Sequence, residues 1–140
     1  MMKKNLTLAV LVVAALALPN LSRSHEGSFK DADTIPPFGP HGGRTLKLTR
    51  HFAEVVVKKS TVDVYILERD VKTVASDASG VTLSAAIPGK NAKSIPLSKK
   101  GDGYTGAYIA PPSARRVIFT VNCVLDGKNE TGTLQHEPRK

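Results

Sequence analysis

The chain has 140 residues, a formal net charge of +8, a single cysteine and no tryptophan. This length suits one domain, and the single cysteine excludes an intramolecular disulfide. A basic balance can indicate nucleic-acid binding, but no aromatic residues interleave the lysine and arginine doublets, so we expect no nucleic-acid partner.

The first 24 residues have the pattern of a secretory signal peptide. Two lysines precede an apolar run over residues 6–18, and Pro19 follows it. This run is shorter than the ~20 apolar residues that a membrane-spanning helix needs. Cleavage after Ser24 is preferred to cleavage after Ala17, because Pro19 ends the apolar helix shortly before the later site. We expect the mature protein to begin at His25, to be periplasmic and not to insert into the membrane.

After the signal peptide (residues 1–24), we expect an extended N-terminal arm over residues 25–42 and one β-sandwich domain over residues 43–140. The arm is polar and contains the step Pro36-Pro37. In the domain, apolar and polar residues alternate over short segments that are separated by turn signals. The predicted strands cover residues 45–48, 51–58, 61–68, 71–74, 81–87, 94–97, 104–110, 116–125 and 131–136.

These short segments without a helical period indicate an all-β fold, an immunoglobulin-like β-sandwich of about 7–9 strands. The alternative is a small closed β-barrel. Asp126-Gly127-Lys128-Asn129 predicts a hairpin turn between the last two strands, with positive φ at the glycine. Cys123 lies on the apolar face of the preceding strand, which favours a buried core residue over a reactive thiol.

No enzyme signature is present in the sequence. It lacks a Gly-x-Ser-x-Gly elbow, a phosphate-binding loop, a dinucleotide fingerprint and a His-Glu-x-x-His motif. We therefore expect a protein that is not an enzyme.

Four histidines follow the predicted cleavage site, and neutral imidazole is the commonest side-chain ligand for zinc, copper and nickel. His41 precedes two glycines that let the backbone bend around a bound ion, and His51 begins the second predicted strand. A tight turn at Thr49-Arg50 would place His51 beside the turn and far from His41. The two imidazoles can then share an ion only if the arm folds back or the first strand pairs elsewhere.

Two further residues are candidate ligands. The imidazole of His25 and the free amino group created by cleavage after Ser24 could chelate one Cu(II) ion. Glu54 offers an oxygen ligand near His51. Because it follows His51 by three residues along a strand, its side chain points to the opposite face unless a bulge turns it.

Three segments resemble a group of small bacterial periplasmic domains that also occur near the N-terminus of membrane-fusion subunits of heavy-metal efflux pumps. They are residues 40–43 (PHGG), residues 51–57 (HFAEVVV) and residues 62–67 (VDVYIL). Downstream segments are also similar, so that the resemblance covers most of residues 40–135. It implies a β-sandwich that handles metal in the periplasm, with His41 and His51 at the matching motif positions.

Two hypotheses follow from the sequence. In the first, the protein binds copper, zinc or nickel through His41 and His51, with His25 and Glu54 as further candidates, and its partner is a metal-efflux or envelope protein. In the second, it is a protein-interaction module that binds no metal, and a sheet edge or a platform formed by Tyr65, Tyr104 and Tyr108 contacts the partner.

Overall fold

The structure, a computed structural model, describes residues 35–138. The predicted signal peptide and His25 lie outside these residues. The described part contains nine strands: β1 (Arg44–Lys47), β2 (Phe52–Val57), β3 (Thr61–Leu67), β4 (Ser79–Ala86), β5 (Lys93–Ile95), β6 (Ser98–Lys100), β7 (Gly103–Ala107), β8 (Val117–Leu125) and β9 (Lys128–His136).

The nine strands form two antiparallel sheets. The five-stranded sheet has the order β1-β2-β3-β7-β6, and the four-stranded sheet has the order β5-β4-β8-β9. The all-β prediction is confirmed, and the arrangement is consistent with a β-sandwich. The sheets do not close into one barrel, so the barrel alternative is wrong. No helix long and apolar enough to cross a membrane occurs between residues 35 and 138.

The turns between neighbouring strands explain most of this topology. Leu48 N–H donates to the His51 carbonyl over 2.8 Å, which closes the predicted tight turn at Thr49-Arg50. Asp126 and Gly127 have φ values of 52° and 72°, as a two-residue hairpin requires. The predicted hairpin is therefore confirmed, but its turn is shorter than predicted because Lys128 and Asn129 already belong to β9.

The predicted strand over residues 71–74 is wrong. The Asp70 carboxylate accepts hydrogen bonds from the N–H groups of Lys72 and Thr73, which folds this segment into a loop. Val71 adopts a φ of 61° there, and only an isolated bridge joins Val74 to Leu67. Strand β6 was not predicted, because its sequence Ser-Lys-Lys is exposed throughout and carries no apolar alternation.

The main core lies between the two sheets. Its largest buried side chains include Phe119 of β8, Ile66 of β3 and Leu83 of β4. Burial of each such side chain contributes ~1.5–3 kcal/mol. Cys123 is buried in the same cluster, as the sequence predicts.

A second apolar cluster covers the outer face of the five-stranded sheet. Phe52, Leu67 and Val71 form it, and Ile35 and Tyr65 pack against it. Ile35 belongs to a segment, residues 35–43, that runs along the edge of β1 opposite to β2. This segment places His41 over the outer face of β2.

The contacts along the β1 edge hold that segment in place. Thr45 N–H donates to the Pro37 carbonyl over 3.3 Å, the Thr45 hydroxyl donates to the Pro36 carbonyl, and Phe38 bridges to Arg44. The edge of β1 is therefore paired rather than open to other chains.

Strands β1 and β9 approach closely at one side of the two sheets. A Cβ atom added to Gly132 of β9 would lie 2.2 Å from the Lys47 carbonyl oxygen of β1. Glycine is therefore required at this crossing. The approach brings Glu130, two residues earlier on β9, to the turn between β1 and β2.

Candidate functional site

Two buried glutamates each hold one histidine, and we name these groups by their positions. The outer clasp consists of His41, Gly43 and Glu54, on the outer face of the five-stranded sheet. Glu54 Oε2 accepts hydrogen bonds from the backbone N–H groups of His41 and Gly43, each over 2.8 Å. Its Oε1 lies 2.7 Å from Nδ1 of the His41 ring. The fully buried carboxylate thus has three donors.

The local sequence fits the outer clasp closely. A Cβ atom added to Gly39 would lie 2.5 Å from the Glu54 carboxyl carbon, so any larger residue would displace the carboxylate. Gly42 has a φ of 82°, which turns the backbone so that the N–H groups on either side of it face Glu54. The Pro-His-Gly-Gly motif is thereby explained by the carboxylate that it surrounds.

The His41 ring also stacks on Tyr65. The ring centroids are 3.6 Å apart and the planes differ by 4°. Tyr65 lies in turn against the backbone at Gly103, where an added Cβ would be 2.5 Å from the tyrosine ring. Burial, with smaller contributions from Asp63 and Asp102, raises the pKa of Tyr65, so the phenol stays neutral. The imidazole of His41 is therefore fixed by a hydrogen bond at one edge and a ring on one face.

The inner clasp consists of Arg50, His51 and Glu130, at the end of the main core. Glu130 Oε1 accepts the N–H groups of Arg50 and His51 over 2.7 and 2.8 Å. Its Oε2 lies 2.6 Å from His51 Nδ1 and 4.0 Å from Arg50 Nε. The two clasps thus repeat one pattern, in which a histidine gives both its backbone N–H and its ring Nδ1 to a single carboxylate.

The surroundings of the inner clasp shift the pKa values of Glu130 and Cys123. Burial opposes the charge on Glu130, but the hydrogen bonds from Arg50 and His51 outweigh it and lower the pKa of Glu130. Cys123 lies directly across from Glu130 on β8. Burial, and secondarily the negative charge of Glu130, raises the pKa of the Cys123 thiol to about 11.

The hydrogen bonds fix the chemistry of both rings. A carboxylate oxygen accepts, so Nδ1 of His41 and of His51 carries the hydrogen and donates. In the neutral ring this leaves the lone pair on Nε2. Metal-ligating histidines in proteins usually donate their other ring N–H to a carboxylate in this way, which fixes the ring orientation and raises its basicity.

The structure places the sequence-predicted site residues as two groups. Glu54 lies on the face of β2 opposite to His51, as predicted, and no bulge turns it. It contacts His41 instead, and its oxygens are occupied by His41 and Gly43. His51 reaches the interior side with Glu130. His41 and His51 are therefore held by different carboxylates on opposite faces of the sheet, and His25 lies outside the described residues.

Sequence reasoning missed Glu130 and Glu68. Glu130 lies beside the predicted hairpin and was not singled out, although it shares the inward face of β9 with Gly132 and Leu134. An acidic residue at an inward position predicts a buried carboxylate with a partner. Glu68 directly follows β3, and its Oε2 is 3.8 Å from His51 Nε2.

The three tyrosines do not form one binding platform. Tyr65 stacks on His41, whereas Tyr108 packs edge-on against Phe119 of the core at 5.3 Å. Tyr104 is half-buried beneath the Lys99 ammonium group, 4.8 Å from its ring.

Within residues 35–138, no group of three or more His, Cys, Asp and Glu side chains is arranged to hold a metal ion. Comparison of the chain with protein-family models, with curated proteins and with solved structures found no match.

Proposed function

We propose that this chain is an exported, non-enzymatic protein that binds copper, zinc or nickel in the periplasm and serves metal efflux or homeostasis. His41 is the principal ligand, through Nε2. The observation that carries this proposal is the His41–Glu54 hydrogen bond of 2.7 Å beneath a ring that stays 30% exposed. We also propose that the two-sheet fold belongs to the immunoglobulin-like class.

The outer clasp supports a ligand role for His41 because it holds the imidazole ring in one orientation. Tyr65 and Glu54 restrict the ring to one orientation, so little side-chain freedom remains to be lost on binding. The backbone N–H groups of His41 and Gly43 already satisfy Oε2 of Glu54, and the remaining oxygen aligns the imidazole. No described residue is hydrogen-bonded to Nε2 of His41, which leaves that nitrogen for an exogenous ion.

In this proposal Glu54 is a positioning residue rather than a ligand. Removal of such a carboxylate partner typically lowers metal affinity 10–100-fold while the ligand itself stays in place. The remaining coordination positions are filled by water, by His25 and its amino group, or by a protein that receives the ion. An open site of this kind suits transfer better than storage.

The test is titration of the purified mature protein with Cu(II), Zn(II) and Ni(II), followed by calorimetry and by the ring-nitrogen NMR signals of each histidine. We expect binding that shifts the His41 Nε2 signal and is weakened about 10-fold or more in Glu54→Gln, and we expect the ion held by His41 to be missing from the stoichiometry of His41→Ala. His136→Gln is the matched control, since it also removes one imidazole. Unchanged His41 signals with all three metals contradict the proposal. Mass spectrometry of the exported protein tests cleavage after Ser24.

The second candidate function, a protein-interaction module, is favoured by one surface. Phe38 and Ile109 are 61% and 72% exposed and line the same groove of about 980 Å³. Arg44, Lys58 and Lys59 also line it, together with Glu137. Apolar side chains beside positive charge suit an extended partner segment with apolar and acidic residues.

Selection of phage-displayed peptides on the mature protein tests this candidate. Enrichment of acidic, apolar sequences that no longer bind Ile109→Ser supports it, and Lys128→Ser at the distant hairpin is the control. Absence of enrichment contradicts it.

A further inference from the structure

His51 and Glu68 face each other across the end of the neighbouring strands β2 and β3. Their register follows from the pair Phe52–Leu67, which puts the next residues of each strand side by side. His51 Nε2 and Glu68 Oε2 are 3.8 Å apart. This separation is too long for a hydrogen bond, although it is within ion-pair range when the imidazole is protonated. In the neutral ring Nε2 carries a lone pair, as the Glu68 carboxylate oxygen does.

The distance between His51 Nε2 and Glu68 Oε2 is close to that between two ligand atoms of one metal ion. Nitrogen and oxygen ligands lie ~2.0–2.2 Å from zinc, so two ligands on one ion are at most about 4 Å apart. A tetrahedral angle needs a separation of about 3.4 Å, which a small rotation of the Glu68 side chain provides. That side chain is 43% exposed, whereas the His51 side chain is 9% exposed. The ion would therefore enter from the side of Glu68.

Hydrogen bonds hold the His51 ring and the Glu68 backbone in place. Glu130 Oε2 accepts a hydrogen bond from His51 Nδ1–H over 2.6 Å. A carboxylate in this position typically orients an imidazole that binds a metal ion. The backbone of Glu68 is fixed by two hydrogen bonds: its N–H donates to the Thr73 carbonyl over 2.7 Å, and its carbonyl accepts Val71 N–H over 3.0 Å. The loop that carries these contacts is itself closed by Asp70.

We propose that His51 Nε2 and Glu68 Oε2 form a second binding site for a divalent transition-metal ion, with Glu130 as its positioning residue. This inference rests on the proposed metal-binding function and adds a separate site to it. The carboxylates of Glu68 and Glu130 balance the charge of a divalent ion, and Arg50 Nε lies 4.0 Å from Glu130 Oε2. One imidazole and one carboxylate suit zinc, nickel or copper(II), and water completes the coordination.

The site differs from the outer clasp in what it offers an ion. His41 presents one protein nitrogen, whereas His51 and Glu68 present a nitrogen and a carboxylate oxygen. We therefore expect two ions per chain, bound independently, rather than one ion shared by His41 and His51.

The experiment uses ring-nitrogen NMR of the mature protein titrated with Zn(II), with paramagnetic broadening by Ni(II) as a second readout. Glu68→Gln is the key variant, because its exposed side chain can change without unfolding the core. Glu137→Gln, another exposed glutamate near the end of β9, is the matched control. We expect Zn(II) to shift His51 Nε2 in the wild type, and Glu68→Gln to weaken that response at least 10-fold while the His41 response is unchanged.

The outcomes separate this inference from the proposed function. A His51 ring that does not respond to Zn(II), or that responds equally in Glu68→Gln, overturns the second site and leaves metal binding at His41 intact. A response of His51 without any response of His41 supports the second site and overturns the role of His41. Loss of the His51 response in His41→Ala overturns independence of the two sites.

Discussion

The outer and inner clasps use the same contacts in very different settings. In the outer clasp, 13 residues separate His41 from Glu54, and the histidine lies at the surface. In the inner clasp, 79 residues separate His51 from Glu130, and both side chains are buried. The first can form within one hairpin and its leading segment, whereas the second forms only when the two sheets pack. We infer that the inner clasp contributes more to the stability of the fold than the outer clasp does.

The sharpest test of this difference is removal of the buried carboxylates. We expect Glu130→Ala to lower the free energy of unfolding by ~4 kcal/mol, because it leaves two backbone N–H groups and Nδ1 of His51 buried without an acceptor. Glu54→Ala should cost ~2 kcal/mol, because the peripheral segment that carries His41 and Gly43 can move into water. Urea unfolding measures both values. Equal destabilisation by Glu130→Ala and Glu54→Ala would contradict this difference between the clasps.

The second test pushes β1 and β9 apart. Gly132→Ala adds a methyl group against the Lys47 carbonyl and should lower the free energy of unfolding by ~2 kcal/mol. Thiol labelling at Cys123 provides a local readout. With a thiol pKa of about 11, native Cys123 should react very slowly at pH 8, and the loosened variant should react faster. Thr133→Ala, which changes an exposed neighbour, is the control. An unchanged labelling rate in Gly132→Ala would show that Gly132 is not needed for this crossing.

The same contrast explains what the sequence could predict. The β2 and β3 alternation, the Thr49-Arg50 turn and the Asp126-Gly127 hairpin follow from local patterns, and all three are present. The opposite facing of His51 and Glu54 follows from the strand period alone. Local rules therefore anticipated these elements and the opposite facing of His51 and Glu54.

The partners of the two histidines could not be predicted in the same way. Which carboxylate reaches His51 depends on the packing of β9 beside β1, and a pattern with a period of two does not encode that packing. The approach of His41 to Glu54 depends on Gly39 and on the bend at Gly42, which the sequence indicates only as general flexibility. The loop at Asp70 replaced a predicted strand because a carboxylate captured the backbone donors.

A smaller effect is expected from crowding the outer clasp. Gly39→Ala places a methyl group against the Glu54 carboxylate and should lower the free energy of unfolding by ~1 kcal/mol. Its larger consequence should be at His41, whose Nδ1 signal and metal affinity depend on the position of Glu54. Pro40→Ala is the control at the next, exposed residue. Retention of wild-type His41 signals in Gly39→Ala would break the link between the glycine and the clasp.

The smallest expected effect concerns a carboxylate held without histidine. Asp63, on the same outer face as Tyr65, accepts hydrogen bonds from the Thr105 hydroxyl over 2.7 Å and from Lys58 Nζ over 2.9 Å. Burial opposes its charge, but these contacts outweigh burial and lower the pKa of Asp63 below its usual 3.8. A lowered folded-state pKa contributes stability above the unfolded value, and that stability disappears as the pH falls through the folded value.

We therefore expect the urea midpoint of the wild type to fall as the pH drops below about 4, and Asp63→Asn to flatten part of that decline. Asp77→Asn, at an exposed loop carboxylate, should leave the decline unchanged. Because Lys58 is exposed to solvent and screened by salt, the difference should shrink at high ionic strength. If the urea midpoint of Asp63→Asn falls with the same slope as that of the wild type, the charge of Asp63 does not contribute to stability. Backbone N–H donors, which both clasps have, would then be what allows a carboxylate to stabilise this fold.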